Sequence, residues 1–262
     1  MCYDISFTVS IRVLGDYFPD LVFDEQMELE FGPIDHVQAP GVFGKHPVIF
    51  QNRDDNKLHC ELMEWGIIEH FQKEEPLIAK RNGMLNIRSE RILDDAKSYW
   101  YKIRNRRCLV PVTGIYEHRE VKGWKKKVPY WIRPCDQMTV FLPGLYSVAE
   151  IVNKETGELI KRKTYGIITR GANSVMRAIH NGGENSGRMP LFLPLEIARE
   201  FVNNNLTPER YKELLAFEMP SNDLVYHPVY TIRSPKLRSD GKNKNEQWIW
   251  DNLPGLEVTG VE

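Results

Sequence analysis

A chain of 262 residues with 42% hydrophobic and 11% aromatic side chains is long enough for one large domain or two small ones, and it carries ample material for a core. No run approaches the roughly 18 to 20 continuous apolar residues of a membrane span, and the start carries Asp4 rather than a basic segment leading into an apolar one. A formal net charge of −1 gives no compositional warrant for a nucleic-acid partner, and the four scattered cysteines form no C-x-x-C pair, which speaks against a zinc module and a disulfide framework.

The expectation is therefore a cytoplasmic protein, nucleoid-associated in a bacterium or nuclear in a eukaryote, with no metal. Cys60, Cys108 and Cys135 are expected as buried free thiols. Cys2 differs by position. Methionine aminopeptidases remove Met1 before a small residue, so the expected mature terminus is Cys2, with its thiol and its α-amine on one carbon. Those two adjacent nucleophiles are what an aldehyde trap requires.

Charge is uneven along the chain. Met1 to Glu30 holds seven acidic residues and one basic one, whereas Lys80 to Arg107 holds nine basic and three acidic. The basic stretch reads either as a solvated helix face or as a phosphate-binding surface. Within it, "SERILDDAKSYWYKIRNRR" places Ile92, Leu93, Ala96, Trp100 and Ile103 at helical spacing, which predicts one helix with its Arg and Lys side chains on the other face.

From Cys108 to Arg170 the pattern is β. "CLVPVTGIYEH", "VPYWIRP", "MTVFLPGLYSVAEIV" and "KTYGIITR" are rich in β-branched and aromatic residues, with turn signals at Lys122-Gly123 and Thr156-Gly157. The prediction is an antiparallel meander curling toward a barrel. Helices follow in "PLEIAREFVNN" after Pro194 and in "LTPERYKELLAF", where Thr207 caps, Pro208 takes the first helical position and Glu209 suits the positive dipole end. The polar "RSPKLRSDGKNKNEQ" is expected as a mobile surface loop before a terminal "WIW" strand. With no repeat or linker, residues 1–262 read as a single α+β domain, a curved antiparallel sheet or barrel-like core flanked by helices.

Four stretches join Cys2 as candidates for chemistry: "NIRSE" at Asn86 to Glu90, "GIYEH" at Gly114 to His118, "AIHNGGENSGRMPLFLP" at Ala178 to Pro194, and "YHPV" at Tyr226 to Val229. Glu117 ends an apolar strand, where a carboxylate is costly to bury unless paired or neutralised. His180 stands between an apolar segment and a Gly/Asn-rich loop. Asn86 and Arg88 share a face of an extended segment and can offer an amide and a guanidinium to one phosphate or sugar, as can Arg188.

In combination these stretches resemble the SRAP family, the SOS response-associated peptidases. The resemblance rests on Cys2, Asn86-x-Arg88-x-Glu90, Tyr116-Glu117, His180 with Arg188-Met189-Pro190, and His227-Pro228-Val229, with "VQAPG" at Val37 to Gly41 and "EWG" at Glu64 to Gly66 as further landmarks. It runs from Cys2 to about Trp250. It implies a protein that binds abasic sites in single-stranded DNA and links itself to the sugar aldehyde through the N-terminal cysteine as a thiazolidine. No cofactor is implied, and a monomer is expected. Carried over, Cys2 is the nucleophile, with Asn86, Glu117 and His180 around it, and Arg88, Thr169 and Arg188 are the DNA-binding residues. An N-terminal-nucleophile peptidase and a non-catalytic single-stranded DNA-binding module are the alternatives.

The sequence also departs from the family pattern. Cys2-Tyr3-Asp4 replaces the usual Cys-Gly-Arg, so an acid stands where a phosphate contact is expected. "NGGENSG" at Asn181 to Gly187 separates His180 from Arg188, "IIEH" follows the Trp-Gly landmark so that the base-stacking wedge is either missing or supplied by Phe71, and His118 follows Glu117 where many relatives have tryptophan. Altered DNA selection with preserved Cys2 chemistry is the expectation.

Overall fold

Residues 2–23, 26–234 and 236–258 are described by the computed structural model. In chain order the strands are β1 (Asp4–Phe7), β2 (Ile34–Gln38), β3 (Lys45–Gln51), β4 (Leu58–Trp65), β5 (Asn86–Arg88), β6 (Arg107–Val112), β7 (Gly114–Arg119), β8 (Val128–Pro134), β9 (Val140–Val152), β10 (Leu159–Gly171), β11 (Arg188–Pro190) and β12 (Leu224–Pro228). The helices are α1 (Val13–Tyr17), α2 (Met27–Glu30), α3 (Ile78–Asn82), α4 (Glu90–Leu93), α5 (Tyr99–Lys102), α6 (Ser174–Ile179), α7 (Leu195–Val202) and α8 (Pro208–Ala216).

Two sheets share the strands. β10 pairs with β4, β4 with β3, β3 with β6, β6 with β9, and β9 returns to β10, which closes a five-stranded barrel. The second sheet runs β12-β8-β7-β1-β2. Closure removes the unpaired edges an open sheet would expose. The β9-β10 hairpin is its longest ladder, from Leu159 opposite Val152 to Ile167 opposite Gly144. β10 also pairs with β5 in parallel and with β11 antiparallel, so one strand carries both flanking pieces of the site.

The α+β architecture and the barrel agree with the sequence reading, but the meander does not. "CLVPVTGIYEH" is two strands that change sheets at Thr113, leaving β7-β8 and β9-β10 as hairpins in different sheets. The corner is built by side chains. Thr113 Oγ1 lies 3.0 Å from Ser6 Oγ and accepts from Thr8 N–H, and Ser6 Oγ accepts from Trp131 Nε1–H at 3.0 Å. Gly114 is required here because a Cβ would stand 2.3 Å from the Trp131 indole.

The basic helix also differs, being split into α4 and α5. Asp95 accepts from Lys97 N–H, and Ser98 accepts from Trp100 N–H and starts α5, so short polar side chains compete with helical bonding between two apolar anchors, Ile92 and Trp100. Nor is the stretch one solvated face. Arg81 is buried against Gly66 O, Glu64 and Glu75, and Arg107 donates to the Phe201 and Asn203 carbonyls. α7 and α8 form where expected, with Thr207 accepting from Arg210 N–H and Pro208 at the first position.

Three further expectations are corrected. Cys135 is exposed, while Cys60 and Cys108 are buried. "WIW" is not a strand; Val229 and Gln247 form an isolated bridge, and Trp248 N–H donates to Pro228 O. The preceding polar segment is not an unanchored loop, because it folds around Arg238, whose guanidinium donates to the carbonyls of Asn243, Glu246 and Gln247 and to Asp240. Burying that cation is tolerable because its donors are matched.

Candidate functional site

The N-terminal strand is the axis of the site. β1 pairs with β7 so that Asp4 stands opposite Tyr116, and the same register sets Tyr3 against Glu117. On the other side, Ala39 N–H donates to Tyr3 O at 2.9 Å, so the "VQAPG" landmark acts as a clamp on the chain next to Cys2. Cys2 is fully buried, in the core cluster that includes Trp65, Leu85 and Tyr165. Met1 lies outside the described residues.

Asn86 reaches Cys2 from β5. Its Nδ2–H donates to Cys2 O at 2.8 Å, and its buried Oδ1 has no hydrogen-bond partner among the described residues. The "EWG" landmark sets β5 in place: Trp65 Nε1–H donates to Leu85 O, Ile67 N–H to Met84 O and Gly66 N–H to Tyr165 O. Gly66 has φ of 120°, a conformation closed to most side chains.

Glu117 and His180 complete the centre. Both are buried, with Glu117 Oε2 3.8 Å from His180 Nε2. Burial pushes the Glu117 carboxyl above its ordinary range and so favours the neutral acid. His180 Nδ1 lies 3.0 Å from Arg188 O; a carbonyl only accepts, so Nδ1 carries the proton and Nε2 is left to exchange one with its surroundings. The Cys2 thiol is held well above its ordinary value by burial and then by the adjacent Glu117. His118, on the next β7 position, is held down to about 4 by burial and is neutral near pH 7.

The insertion at Asn181 to Gly187 loops out without parting its ends. Gly187 N–H donates to His180 O and Ala172 N–H to Gly187 O, while Asn181 pairs through its amide with both backbone groups of Glu120. Gly183 and Gly187 adopt positive φ values of 89° and 72° in this turn. The loop then forms one rim of a cleft of about 590 Å³, with Glu117 and His180 inside and Tyr3, Lys126 and Arg233 also on its walls.

Three arginine-side residues gather on the β5-β10-β11 face. Thr169 is buried and pairs with Arg88 on one side and Pro190 on the other. Arg188 donates to Thr169 O at 2.7 Å and to both carboxylate oxygens of Glu90, at 2.5 and 3.0 Å. Against the effect of burial, those bonds hold Glu90 below the usual carboxylate range. Arg88 is exposed. Phe71 is 53% exposed and packs edge-on against Tyr99.

Asp4 is not a surface acid. It is buried, accepts from His36 Nε2–H at 2.7 Å, and takes two bonds from Arg233, at 3.1 and 2.5 Å. These partners outweigh the effect of burial and hold its carboxyl low. The sequence reading missed this triad, since Arg233 lies 229 positions away. It also missed Tyr165, whose buried hydroxyl has no hydrogen-bond partner among the described residues and whose pKa is pushed up by burial and then by the Cys108 and Cys2 thiols. Its sequence context, one aromatic in a strand, carries no signal of that proximity.

A closed barrel beside a second sheet, with an acid, an imidazole and an amide gathered about the residue that leads into β1, defines the class of α+β protein. The chain belongs to the SOS response associated peptidase (SRAP) family, whose sequence model matches residues 5–232. Over 200 residues it is 24% identical to Abasic site processing protein HMCES of Xenopus tropicalis, covering 70% of this chain and 56% of that protein. Over 98 residues it is 31% identical to an abasic site processing protein of Saccharomyces cerevisiae, covering 37% of this chain and 25% of the relative. The chain thus spans about half the length or less of these relatives. A crystal structure of a Bacteroides thetaiotaomicron protein is similar with a TM-score of 0.72 at 25% identity, covering 94% of this chain and 97% of that one. A Bordetella bronchiseptica protein shares the fold, with a TM-score of 0.67 at 18% identity, covering 88% of this chain and all of the other. No helix among the described residues is long and apolar enough to cross a membrane.

Proposed function

We propose that this chain traps abasic sites in single-stranded DNA by forming a thiazolidine between Cys2 and the sugar aldehyde. The observation that carries the reading is the convergence of Glu117, His180 and Asn86 on Cys2, in a family whose curated relatives are named abasic site processing proteins. Residues 1–262 are taken as one SRAP-like domain that acts as a monomer. The reaction takes place wherever the cell keeps its DNA.

Removal of Met1 is the first step of the proposal, since it frees the α-amine. An α-amine has an ordinary pKa near 8, so a useful fraction is neutral at physiological pH. As the sugar opens, His180 Nε2 takes the proton of the anomeric hydroxyl and returns it to the ring oxygen, so the step balances. The amine nitrogen adds to the aldehyde carbon, and Glu117 in its acid form protonates the departing hydroxyl, giving an imine and one water. The Cys2 sulfur then bonds to the imine carbon while its proton passes to nitrogen. Being intramolecular, ring closure gains effective concentration. The unpartnered Oδ1 of Asn86 is the acceptor we assign to the Cys2 amine, because an unsatisfied buried amide oxygen costs about 1–3 kcal/mol.

Arg88, Thr169 and Arg188 form the phosphate side of the site. In a test with an abasic oligonucleotide, Cys2→Ala should retain an amine that borohydride traps as an imine adduct, yet give no heat-stable adduct. A heat-stable adduct from Cys2→Ala would overturn the ring mechanism.

A further inference from the structure

We infer a second anion-binding groove, lined by Lys45, Arg233 and Lys244, that takes the phosphodiester backbone flanking the nucleotide held at Cys2. This rests on the abasic-site reading above. The groove has a volume of about 440 Å³ and shares Ile232 and Arg233 with the cleft that contains Glu117 and His180, so the two depressions meet at these two residues. It lies at the β2 side of the second sheet, where His36, Val37 and Gln38 form its floor, away from the β5-β10-β11 face that carries Arg88 and Arg188.

Its charge is one-sided. Lys45, Arg233 and Lys244 are cations of the lining, and no carboxylate side chain is part of that lining among the described residues. The acids beside Arg233 and Lys244 are already engaged, while Lys45 also borders a separate depression lined by Glu30 and by Glu61, the latter paired with Lys163. Asp4 is buried behind Arg233 and shared with His36, and Asp35 accepts from the backbone N–H of Lys244. Neither lysine ammonium has an ion-pair partner among the described residues, and Lys45 is exposed.

Arg233 is the hinge of the arrangement. Nε and Nη2 are spent on Asp4, which fixes the plane of the guanidinium, while Nη1 makes no hydrogen bond among the described residues and the side chain is 43% exposed. A guanidinium locked at its back by a buried carboxylate is preorganised for a phosphate at its front. Lys126 continues the positive charge into the cleft itself. Chain connectivity then gives an anionic strand a path from the reactive pocket across Arg233 to Lys45 and Lys244. Attraction to phosphates, rather than base reading, is the chemistry offered, so the groove should accept single-stranded nucleic acid without sequence preference.

The test compares crosslinking rates and salt dependence for wild type and the double variant Lys45→Gln/Lys244→Gln. Arg233 is left in place because it braces Asp4, and thermal melting establishes that the variant is folded. One oligonucleotide carries the abasic site between long flanks on both sides, and two others are cut to a single nucleotide on one side or the other. Wild type should react several-fold faster with the long form than with one of the shortened forms. In the double variant those two rates should converge, and the slope of log affinity against log salt should fall by about 1.4, two single-strand phosphate contacts. Unchanged slope and a retained length dependence in the variant would overturn the groove while leaving the Cys2 chemistry standing. Absence of any adduct with wild type on every oligonucleotide would overturn the abasic-site reading and this inference with it.

Discussion

Glu117 Oε2 sits 3.8 Å from His180 Nε2, inside a shell where both residues are buried and where His180 is oriented by the Arg188 carbonyl. That separation is an ion-pair distance rather than a hydrogen bond. Burial favours neutral Glu117, and the Nδ1–H bond leaves Nε2 as the exchangeable nitrogen.

Glu117→Gln tests that arrangement in two ways. The native Glu117 pKa is raised, so its contribution to stability is greatest below the ordinary carboxyl pKa and is lost as pH rises through the native value. The glutamine variant should therefore melt higher than wild type at pH 8 and lose that advantage at pH 4. Its rate of adduct formation should fall about 100-fold or more, the usual contribution of a positioned acid. Calorimetry across pH and single-turnover crosslinking read the two effects.

Asp4→Asn should destabilise the chain start. Removing one partner of a buried pair costs about 3–5 kcal/mol, and the solvated outer part of Arg233 lowers the expectation here to about 2 kcal/mol. The Asp4 pKa is depressed, so its stabilisation is present above the unfolded carboxyl value and fades as pH falls through the native one. Denaturant melts at pH 7 should separate the two proteins, and melts near pH 2 should bring them together.

Glu90 occupies the donors of Arg188 that the proposal gives to a phosphate. Glu90→Gln removes that competing charge and should tighten single-stranded DNA binding several-fold at low salt, whereas Arg188→Ala should weaken it and reduce the salt slope by about 0.7. Fluorescence anisotropy over a salt series measures both. Weaker binding by Glu90→Gln would mean that the acid positions Arg188 rather than competing for it.

The corner between the two sheets depends on Gly114. Gly114→Ala places a methyl 2.3 Å from a buried indole and should cost about 3 kcal/mol, a fall of roughly 6–12 °C in Tm for a chain of this size. A melting point within a degree of wild type would show that Trp131 has room to move.

What was legible in the sequence was local. α8 follows from Thr207-Pro208-Glu209, and the β9-β10 hairpin from its aromatic and β-branched runs around Gly157. The sheet change at Thr113 left no trace in periodicity, because an apolar run reads alike whichever sheet its residues enter, and the helix broken at Asp94 to Ser98 kept its apolar spacing across the break. For the site, the resemblance brought forward Cys2, Asn86, Glu117 and His180, and the structure places them together. Asp4, read from the sequence as an acid at a phosphate-contact position, shows the limit: its meaning depends on Arg233 and His36, which only the fold delivers. The landmarks "VQAPG" and "EWG" proved to be clamps on Tyr3 and on the segment before Asn86, a role with no chemical signature of its own.

Intact mass spectrometry of the purified chain, alone and after incubation with a single-stranded oligonucleotide bearing one abasic site, tests the central claim most directly. The account predicts loss of Met1 and a heat-stable species whose mass is the sum of the Cys2-initiated protein and the oligonucleotide less one water, absent in Cys2→Ala. A chain that retains Met1, or a Cys2 terminus that yields no adduct, would contradict it.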